Sequence, residues 1–185
     1  MEKRAFVFLA TGFEEIEAVT SIDVLRRAGI ATTTVSVNST PVVAGAHGVP
    51  YTADKTIDQI QGERTDAMVL PGGLPGADNL YACEALRTML IEQNKEGKII
   101  AAICASPAVV LGTMHLLEGR KATCYPSFEP KMLGAEAIAQ YVVRDGHIIT
   151  GQGPAAAMPF ALEVVEALTD VSTRKRVANE LLFKE

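Results

Sequence analysis

A cysteine ends an apolar run near the middle of the chain, in the sequence IIAAICASPA at residues 99–108. The small residues Ala102 and Ser106 lie two positions before and after Cys104, and Pro107 suits the first turn of a helix. A nucleophile elbow needs this combination, because its strained strand-to-helix turn leaves no room for large neighbours. The pattern predicts that Cys104 is a displayed nucleophile in an unfavourable backbone conformation, at a cost of ~1–3 kcal/mol.

Two features favour the thiolate form of such a cysteine, whose usual pKa is ~8.5. The helix that starts near Ser106 brings partial positive charge and free N–H groups. The amides of Gly72 and Gly73, which follow another apolar run, can form an anion-binding nest or hold a developing oxyanion. A lowering of the pKa by about two units corresponds to ~2.7 kcal/mol of thiolate stabilisation, which these groups can supply.

An acidic cluster follows the first apolar run, in GFEEIE at residues 12–17. Glu14 and Glu15 suit the positive end of the next helix, and surface capping is the expected role of both. An ionised Glu17 against Cys104 would disfavour the thiolate. Glu17 can therefore assist only if its own pKa is raised, so that a protonated carboxyl donates to the sulfur. The two groups would then share one proton, and Glu17 could exchange protons with a substrate.

A second interpretation of Cys104 stays open at this level, because a lone cysteine in an apolar run is usually packed in a core. We expect Cys83, near the start of a predicted surface helix, and Cys124, in a predicted strand, to be structural. The three cysteines form no CxxC pair, and the three histidines are scattered. Neither a disulfide framework nor a metal site is therefore expected.

Apolar runs alternate with amphipathic stretches along the chain. We predict strands at residues 6–10, 32–37, 67–70, 98–103 and 121–125, with hairpins over residues 41–51 and 141–150, the latter with an Asp-Gly turn. We predict helices at residues 14–28, 84–96, 106–114, 156–168 and 172–182. This alternation indicates an α/β fold, a doubly wound and mostly parallel sheet with helices on both faces. Ligands bind beyond the carboxyl ends of such strands, where residues 12–17, residues 71–73 and Cys104 all lie.

Composition excludes several classes of function. The net charge of −5 and the pI near 5.3 argue against a general nucleic-acid binder, since no basic stripe can neutralise phosphates. No apolar run reaches the ~20 residues that span a bilayer, and the N-terminal run is too short for a signal peptide. We expect a cytoplasmic protein with a single domain over residues 1–185 and with neither membrane nor nucleic acid as a partner.

Several segments, in chain order, resemble the ThiJ/PfpI superfamily. They are AFVFLATGFEEIE (residues 5–17), DVLRRAGI (23–30), VLPGG (69–73), AAICASP (101–107) and GQGP (151–154). The resemblance is greatest to the branch that contains the parkinsonism-associated protein deglycase and its bacterial homologues. Each motif alone is weak evidence, but together they extend over nearly the whole chain.

The resemblance implies a flavodoxin-like sandwich of the class I glutamine-amidotransferase type, usually a homodimer. It implies that Cys104 is a reactive, oxidation-sensitive nucleophile and that Glu17 is its protonated partner. It also implies that the amides of Gly72, Gly73 and Ala105 line an anion pocket. Activities attributed to the branch are glutathione-independent glyoxalase, deglycation of methylglyoxal adducts and redox-linked chaperoning, and no cofactor or metal is expected for them.

The chain departs from the pattern at informative positions. Ala105 stands where the protease-like and stress-chaperone branches have a histidine, which argues against a Cys–His protease. Tyr125 stands where close relatives of the parkinsonism protein often have a histidine; it can donate a hydrogen bond but is a poor base at neutral pH. His47 aligns with a basic residue near the pocket of some relatives, and Arg27 is retained. Both are candidate accessory residues, with a solvated hairpin histidine as the alternative for His47.

Two hypotheses of function use the same site. In the first, an enzyme acts on small reactive dicarbonyls or their adducts: Cys104 adds to the aldehyde as a hemithioacetal and Glu17 moves protons. In the second, the protein is a non-enzymatic redox sensor or chaperone of the oxidative stress response, whose thiol becomes a sulfinate held by N–H donors. A third, biosynthesis of a thiazole or a nucleotide, rests only on old family names and lacks a phosphate-binding Gly-rich loop.

Overall fold

Strands and helices alternate along the chain. The structure is a computed structural model that describes residues 2–184. The strands are β1 (Arg4–Leu9), β2 (Ala31–Ser36), β3 (Val42–Ala44), β4 (Pro50–Thr52), β5 (Lys55–Thr56), β6 (Ala67–Leu70), β7 (Ile99–Ile103), β8 (Lys121–Ala122), β9 (Glu136–Ala137), β10 (Val142–Asp145) and β11 (Ile148–Gly151). The α-helices are α1 (Glu15–Arg27), α2 (Gly76–Ala82), α3 (Glu84–Lys95), α4 (Ala157–Leu168) and α5 (Val171–Glu180). Short 3₁₀ helices lie at Ile57–Ile60, Glu129–Lys131 and Pro154–Ala156, and a π-helix lies at Pro107–Gly112.

A seven-stranded sheet forms the centre of the molecule, in the order β10-β11-β7-β6-β1-β2-β5. Its neighbouring strands are parallel except for the edge strand β10, which is antiparallel to β11. The hairpin of β3 and β4 and the short pair of β8 and β9 lie outside this sheet. The predicted, mostly parallel sheet is confirmed.

The side chains of β1 enter two apolar cores, one on each face of the sheet. Val7 and Leu9 pack with residues of α1, α4 and α5, whereas Phe6 and Phe8 pack with residues of α2 and α3. The alternation follows from the two-residue period of a strand. Both sets are apolar because helices cover both faces, which confirms the predicted doubly wound arrangement.

Two elements beside the site differ from their predictions. The helix predicted at residues 106–114 is the π-helix Pro107–Gly112, and the strand predicted at residues 121–125 shortens to β8. Helix α2 was not predicted, because it begins at a glycine after Pro75 and buries only a small apolar face, chiefly Ala77 and Leu80. Its short apolar pattern carries too little periodicity to be recognised.

The predicted hairpin at residues 141–150 is confirmed, with its turn one residue later than the Asp-Gly pair suggests. Asp145 pairs with Ile148, so Gly146 and His147 form the centre of the turn, and Gly146 has the positive φ of +62° that such a turn requires. Among residues 2–184, no helix combines the length and the apolar character needed to cross a bilayer.

Candidate active site

Three strand ends meet at one edge of the sheet, as the sequence predicts. Strand β1 leads into the acidic turn before α1, β6 leads into residues 71–73, and β7 leads into Cys104. These strands are parallel neighbours, so their carboxyl ends lie side by side. Glu17 Oε2 accepts a hydrogen bond of 2.7 Å from the Gly72 N–H. A Cβ atom at Gly72 would lie only 2.6 Å from the Cβ of Cys104, so the glycine backbone directly contacts the cysteine.

Cys104 lies on the strained turn predicted for a nucleophile elbow. Its φ of +66° is in the left-handed region, which costs a non-glycine residue ~1–3 kcal/mol. Backbone hydrogen bonds hold this conformation: the Cys104 N–H donates to Gly151 O at 2.9 Å, and the Cys104 carbonyl accepts from the Tyr125 N–H at 2.8 Å. The predicted backbone outlier is confirmed. The residue is 8% exposed, so the protein shields most of it from water.

Backbone amides surround the sulfur. The N–H groups of Gly73 and Ala105 donate to the Cys104 side chain, as predicted for an anion pocket. The Gly72 N–H, predicted for the same pocket, donates to Glu17 instead. Position 73 requires glycine, because its φ is +88° and a Cβ there would lie 2.4 Å from Gly12 O. Two converging amides can also stabilise negative charge on a substrate oxygen beside the sulfur.

One peptide group connects the elbow to the acid. The buried Ser106 hydroxyl donates to the Pro71 carbonyl at 2.6 Å, and the N–H on the other side of the same peptide, that of Gly72, donates to Glu17. Hydrogen bonds at both ends of a peptide polarise it and strengthen each other. Ser106 is therefore a positioning residue for Glu17. Sequence reasoning counted it only as a small residue of the elbow, and nothing in the spacing indicates the role of its hydroxyl.

Burial raises the pKa of the Glu17 carboxyl from 4.5 to about 7. The hydrogen bonds from Gly72 and Cys104 lower this pKa and the charge of Glu14 raises it, but burial is the largest effect. This direction meets the condition under which Glu17 can assist Cys104. Glu17 Oε1 is buried and has no hydrogen bond of regular geometry within residues 2–184, which makes it a suitable site for a proton.

The pKa of the thiol moves in the direction opposite to the prediction. Burial first, then the charge of Glu17 and the hydrogen bond with it, raise the pKa of Cys104 to about 12, against the lowering effect of the Gly73 and Ala105 amides. The expected net lowering of this pKa is wrong: the amides do lower it, but burial and Glu17 outweigh them. A neutral Glu17 removes the repulsion and can donate to the sulfur instead. The geometry thus supports one proton shared by the pair, which titrates as a unit.

Tyr125 borders the elbow. Its backbone N–H binds the Cys104 carbonyl, and its ring lies over the backbone of Gly153, where an added Cβ would come within 3.3 Å of the ring. The residue is 46% exposed. Tyr125 therefore lies beside the elbow.

His47 and Arg27 contact other groups. The His47 imidazole pairs with Glu15 at 2.8 Å, which raises the pKa of His47, and its side chain is 74% exposed. Arg27 lies in the last turn of α1 and pairs with Asp23 at 2.6 Å. Within the described chain, neither residue has a hydrogen bond or ion pair with Cys104 or Glu17. The exposure of His47 and its pairing with Glu15 fit a solvated hairpin histidine better than a residue of the Cys104 pocket.

Glu14 caps α1 as predicted, but it is not on the surface. It is 8% exposed, and its Oε2 accepts the Glu17 N–H at 2.8 Å. Among residues 2–184, Glu14, Glu15 and His47 are the group whose potential metal-ligand atoms lie within 4.8 Å of one another. Because Glu15 is paired with His47 and Glu14 with the helix N–H, we assign these side chains a structural role.

Comparison with protein families agrees with this geometry. The model of the DJ-1/PfpI family matches residues 3–167. The chain belongs to the DJ-1/PfpI family. The solved structure described as "Toxoplasma gondii DJ-1, oxidized" superposes with a TM-score of 0.96 at 41% sequence identity, covering 99% of this chain and 100% of that one. The predicted flavodoxin-like sandwich is thereby confirmed.

Curated relatives of this DJ-1/PfpI protein differ in length. Protein DJ-1 homolog B of Arabidopsis thaliana is 40% identical over 183 residues, which are 98% of this chain but 42% of that protein. The chain therefore spans about half the length of the Arabidopsis relatives. A Caenorhabditis elegans protein named Glutathione-independent glyoxalase DJR-1.2 is 34% identical over 157 residues, 84% of this chain and 82% of that protein.

The raised pKa of Glu17 predicts a pH-dependent effect of Glu17→Gln on stability. The folded protein binds this proton more tightly than the unfolded chain, so its contribution to stability is present below about pH 4.5 and is lost as the pH rises to about 7. Glutamine does not ionise. Relative to wild type, the variant's free energy of unfolding should rise by about 3 kcal/mol across this interval and then stay level. Urea denaturation at several pH values measures it.

Glu15→Gln is the matched control for that experiment. Burial raises the pKa of Glu15, but its hydrogen bonds, first those with His47, outweigh burial and lower the pKa, so the wild-type residue stabilises more as the pH rises. Relative to wild type, the free energy of unfolding of Glu15→Gln should therefore fall as the pH rises, opposite to the trend for Glu17→Gln. Parallel trends in the two variants would contradict the buried, raised-pKa carboxyl.

Proton sharing predicts a second effect of Glu17→Gln, on the reactivity of Cys104. Removing the carboxylate removes two of the three causes that raise the thiol's pKa, so the pH midpoint of its alkylation by iodoacetamide should fall below that of wild type. Mass spectrometry of the Cys104 peptide measures the rate. Cys124, whose pKa burial and Glu129 raise to about 12, is the internal control and should not change. An unchanged Cys104 midpoint would rule out the coupling.

Proposed function

We propose that this protein is a cysteine-dependent enzyme of the glyoxalase or deglycase type, acting on small reactive dicarbonyls or their adducts. The observation that carries the proposal is the contact between the buried Glu17 carboxyl and the Cys104 thiol, with the amides of Gly73 and Ala105 on the sulfur. A nucleophile, a proton carrier of pKa near 7 and an oxyanion site are the groups that this chemistry needs. The relative named as a glutathione-independent glyoxalase supports it.

The first step is addition to the aldehyde. The proton of the pair moves to Glu17, and the Cys104 sulfur bonds to the aldehyde carbon, whose oxygen takes the electron pair of the carbonyl bond. The amides of Gly73 and Ala105 stabilise this oxygen, and the protonated Glu17 returns a proton to it. The product is a hemithioacetal. Thiolate is thus needed only transiently, which a shared proton allows despite the raised pKa of the resting thiol.

The second step transfers hydrogen within the adduct. The Glu17 carboxylate removes the proton from the former aldehyde carbon, giving an enediolate, and returns it to the adjacent carbon, while the hydroxyl proton of the former aldehyde carbon passes to the neighbouring oxygen. The former aldehyde carbon is oxidised to a thioester while the neighbouring ketone carbon is reduced to an alcohol. Water then cleaves the thioester, releasing a 2-hydroxy acid and the thiol. In total, a dicarbonyl and water give a 2-hydroxy acid. One carbon is oxidised and its neighbour is reduced, so the reaction requires no external oxidant or reductant, and no cofactor is expected.

Methylglyoxal tests the proposal directly, with lactate as the measured product. Cys104→Ser should abolish turnover, because the hydroxyl is a far weaker nucleophile, and Glu17→Gln should lower kcat by about 10²–10⁴ through loss of proton transfer. Cys83→Ser is the matched control, since Cys83 is a free, partly exposed thiol at the start of α3, and its rate should equal that of wild type. Equal rates for wild type and Cys104→Ser would end the proposal.

A redox sensor is the second candidate, because the same amides favour an oxidised sulfur. The N–H groups of Gly73 and Ala105 donate to the sulfur and would bind the oxygens of a sulfinate. After mild peroxide treatment, mass spectrometry should find two added oxygens on Cys104 before any oxidation of Cys83 or Cys124. Preferential oxidation of Cys83, the most exposed of the three, would count against this candidate. In this role the protein would serve the oxidative stress response, as a sensor or chaperone.

We also propose a homodimer, which the resemblance implies. Exposed apolar side chains support it: Ile16 and Val19 on α1 and Val42 and Val49 on the β3–β4 hairpin are 47–57% exposed. Hydrogen bonds between Glu15 and His47 join the helix to the hairpin, so these side chains lie on neighbouring elements. A cytoplasmic location and a single domain over residues 1–185 complete the proposal.

A further inference from the structure

A cleft of about 190 Å³ lies beside the elbow, outside the contacts between thiol and acid. Its main lining residues are Tyr125, Pro126, Tyr141, Gly153 and Pro154, with Gln152 as the polar side chain. Tyr125 and Tyr141 are 46% and 61% exposed, so two aromatic rings face solvent around one cavity. Aromatic and proline surfaces of this kind are typical of sites that bind an apolar group.

Two walls of the cleft are attached to the backbone of Cys104. On one side, the Tyr125 N–H donates to the Cys104 carbonyl. On the other, the Cys104 N–H donates to Gly151 O, and residues 152–154 of the lining follow directly in the chain. The Tyr125 ring lies against the backbone of Gly153, so the two walls contact each other there. The backbone of Cys104 therefore connects the two segments that form the walls of the cleft.

We infer that this cleft is an apolar subsite for the aryl or bulky alkyl group of a 2-oxoaldehyde whose aldehyde carbon bonds to Cys104. The inference rests on the proposed function, and it names the substrate class. An apolar cavity of about 150 Å³ suffices to bind benzene, so a cleft of 190 Å³ accommodates a phenyl ring. A methyl group would leave most of it empty. The Tyr125 ring adds apolar area to the subsite.

Selectivity for the larger group is the first test. Phenylglyoxal and water give mandelate by the same internal transfer that gives lactate from methylglyoxal. The wild-type kcat/KM should favour phenylglyoxal by at least about tenfold, the discrimination that an apolar pocket provides. Tyr141→Ala removes one wall and Ala155→Leu fills the cleft from an exposed position, so each should lower the ratio of the two kcat/KM values by about tenfold.

Ile91→Ala is the control for this comparison. Ile91 is 42% exposed on α3, so its substitution also removes an exposed apolar side chain, but at a site that does not line the cleft. The ratio of kcat/KM for phenylglyoxal to kcat/KM for methylglyoxal should be the same in Ile91→Ala as in wild type. A wild-type preference for methylglyoxal, or a ratio unchanged by both Tyr141→Ala and Ala155→Leu, would overturn the inference.

Alkylation of Cys104 tests the subsite without turnover. Phenacyl bromide and bromoacetone carry the same reactive group; in each the sulfur bonds to carbon, the carbon–bromine bond breaks, and bromide leaves with the electron pair. After division by the rates with glutathione, wild-type Cys104 should react at least about tenfold faster with phenacyl bromide, and Tyr141→Ala should remove this advantage.

These measurements separate the two ideas. A phenyl advantage in alkylation without turnover of either oxoaldehyde supports the subsite and refutes the proposed enzyme. Turnover of methylglyoxal without a phenyl advantage in either assay supports the enzyme and refutes the subsite. If Tyr141→Ala alters the oligomeric state and neither ratio, the cleft is an interface between copies of the chain, and the inference fails.

Discussion

The site depends on one proton held between two buried groups that cannot both be charged. Glu17 is fully buried and Cys104 nearly so; burial raises the pKa of both, and the charge of Glu17 raises that of the thiol further. A carboxyl in water would be ionised at neutral pH and would keep the thiol protonated. Burial raises the pKa of Glu17 to about 7, which brings the two proton positions closer in free energy. In the proposed reaction the pair supplies a thiolate and an acid together, which neither group can do alone.

The fold supplies this arrangement through backbone groups. Adjacent parallel strands bring the acidic turn, the Gly72 loop and the elbow to one edge. Close contact there requires glycine at position 72, since any side chain would meet Cys104, and a positive φ at Cys104 itself. The Ser106 hydroxyl then fixes the peptide whose N–H holds Glu17. These groups all belong to the edge of the sheet, so the geometry of the site is part of the sheet's own framework.

The sequence predicts the parts of this site that depend on pattern. Apolar runs of strand length identify the sheet, and small residues around Cys104 identify the elbow, because both follow from steric rules that act locally. The direction of the Cys104 pKa was predicted wrongly, because it depends on the balance of burial, charge and amides in three dimensions. For the same reason the sequence cannot assign the Gly72 N–H to Glu17 or show that Glu14 is buried. Helix α2 and the π-helix escape prediction because packing, rather than periodicity, determines them.

The groups that surround the Cys104 sulfur differ in kind from the groups that could select a substrate. The groups on the sulfur are backbone amides, which present the same N–H to any carbonyl oxygen and so cannot distinguish one substrate from another. Under the proposed function, the choice of substrate would come from side chains beyond the strand ends, in the segments around Tyr125, Tyr141 and Gly153. These lie in loops, where substitution does not disturb the sheet or the elbow. A chain that keeps the thiol and its acid could thus change its substrates through loop residues alone.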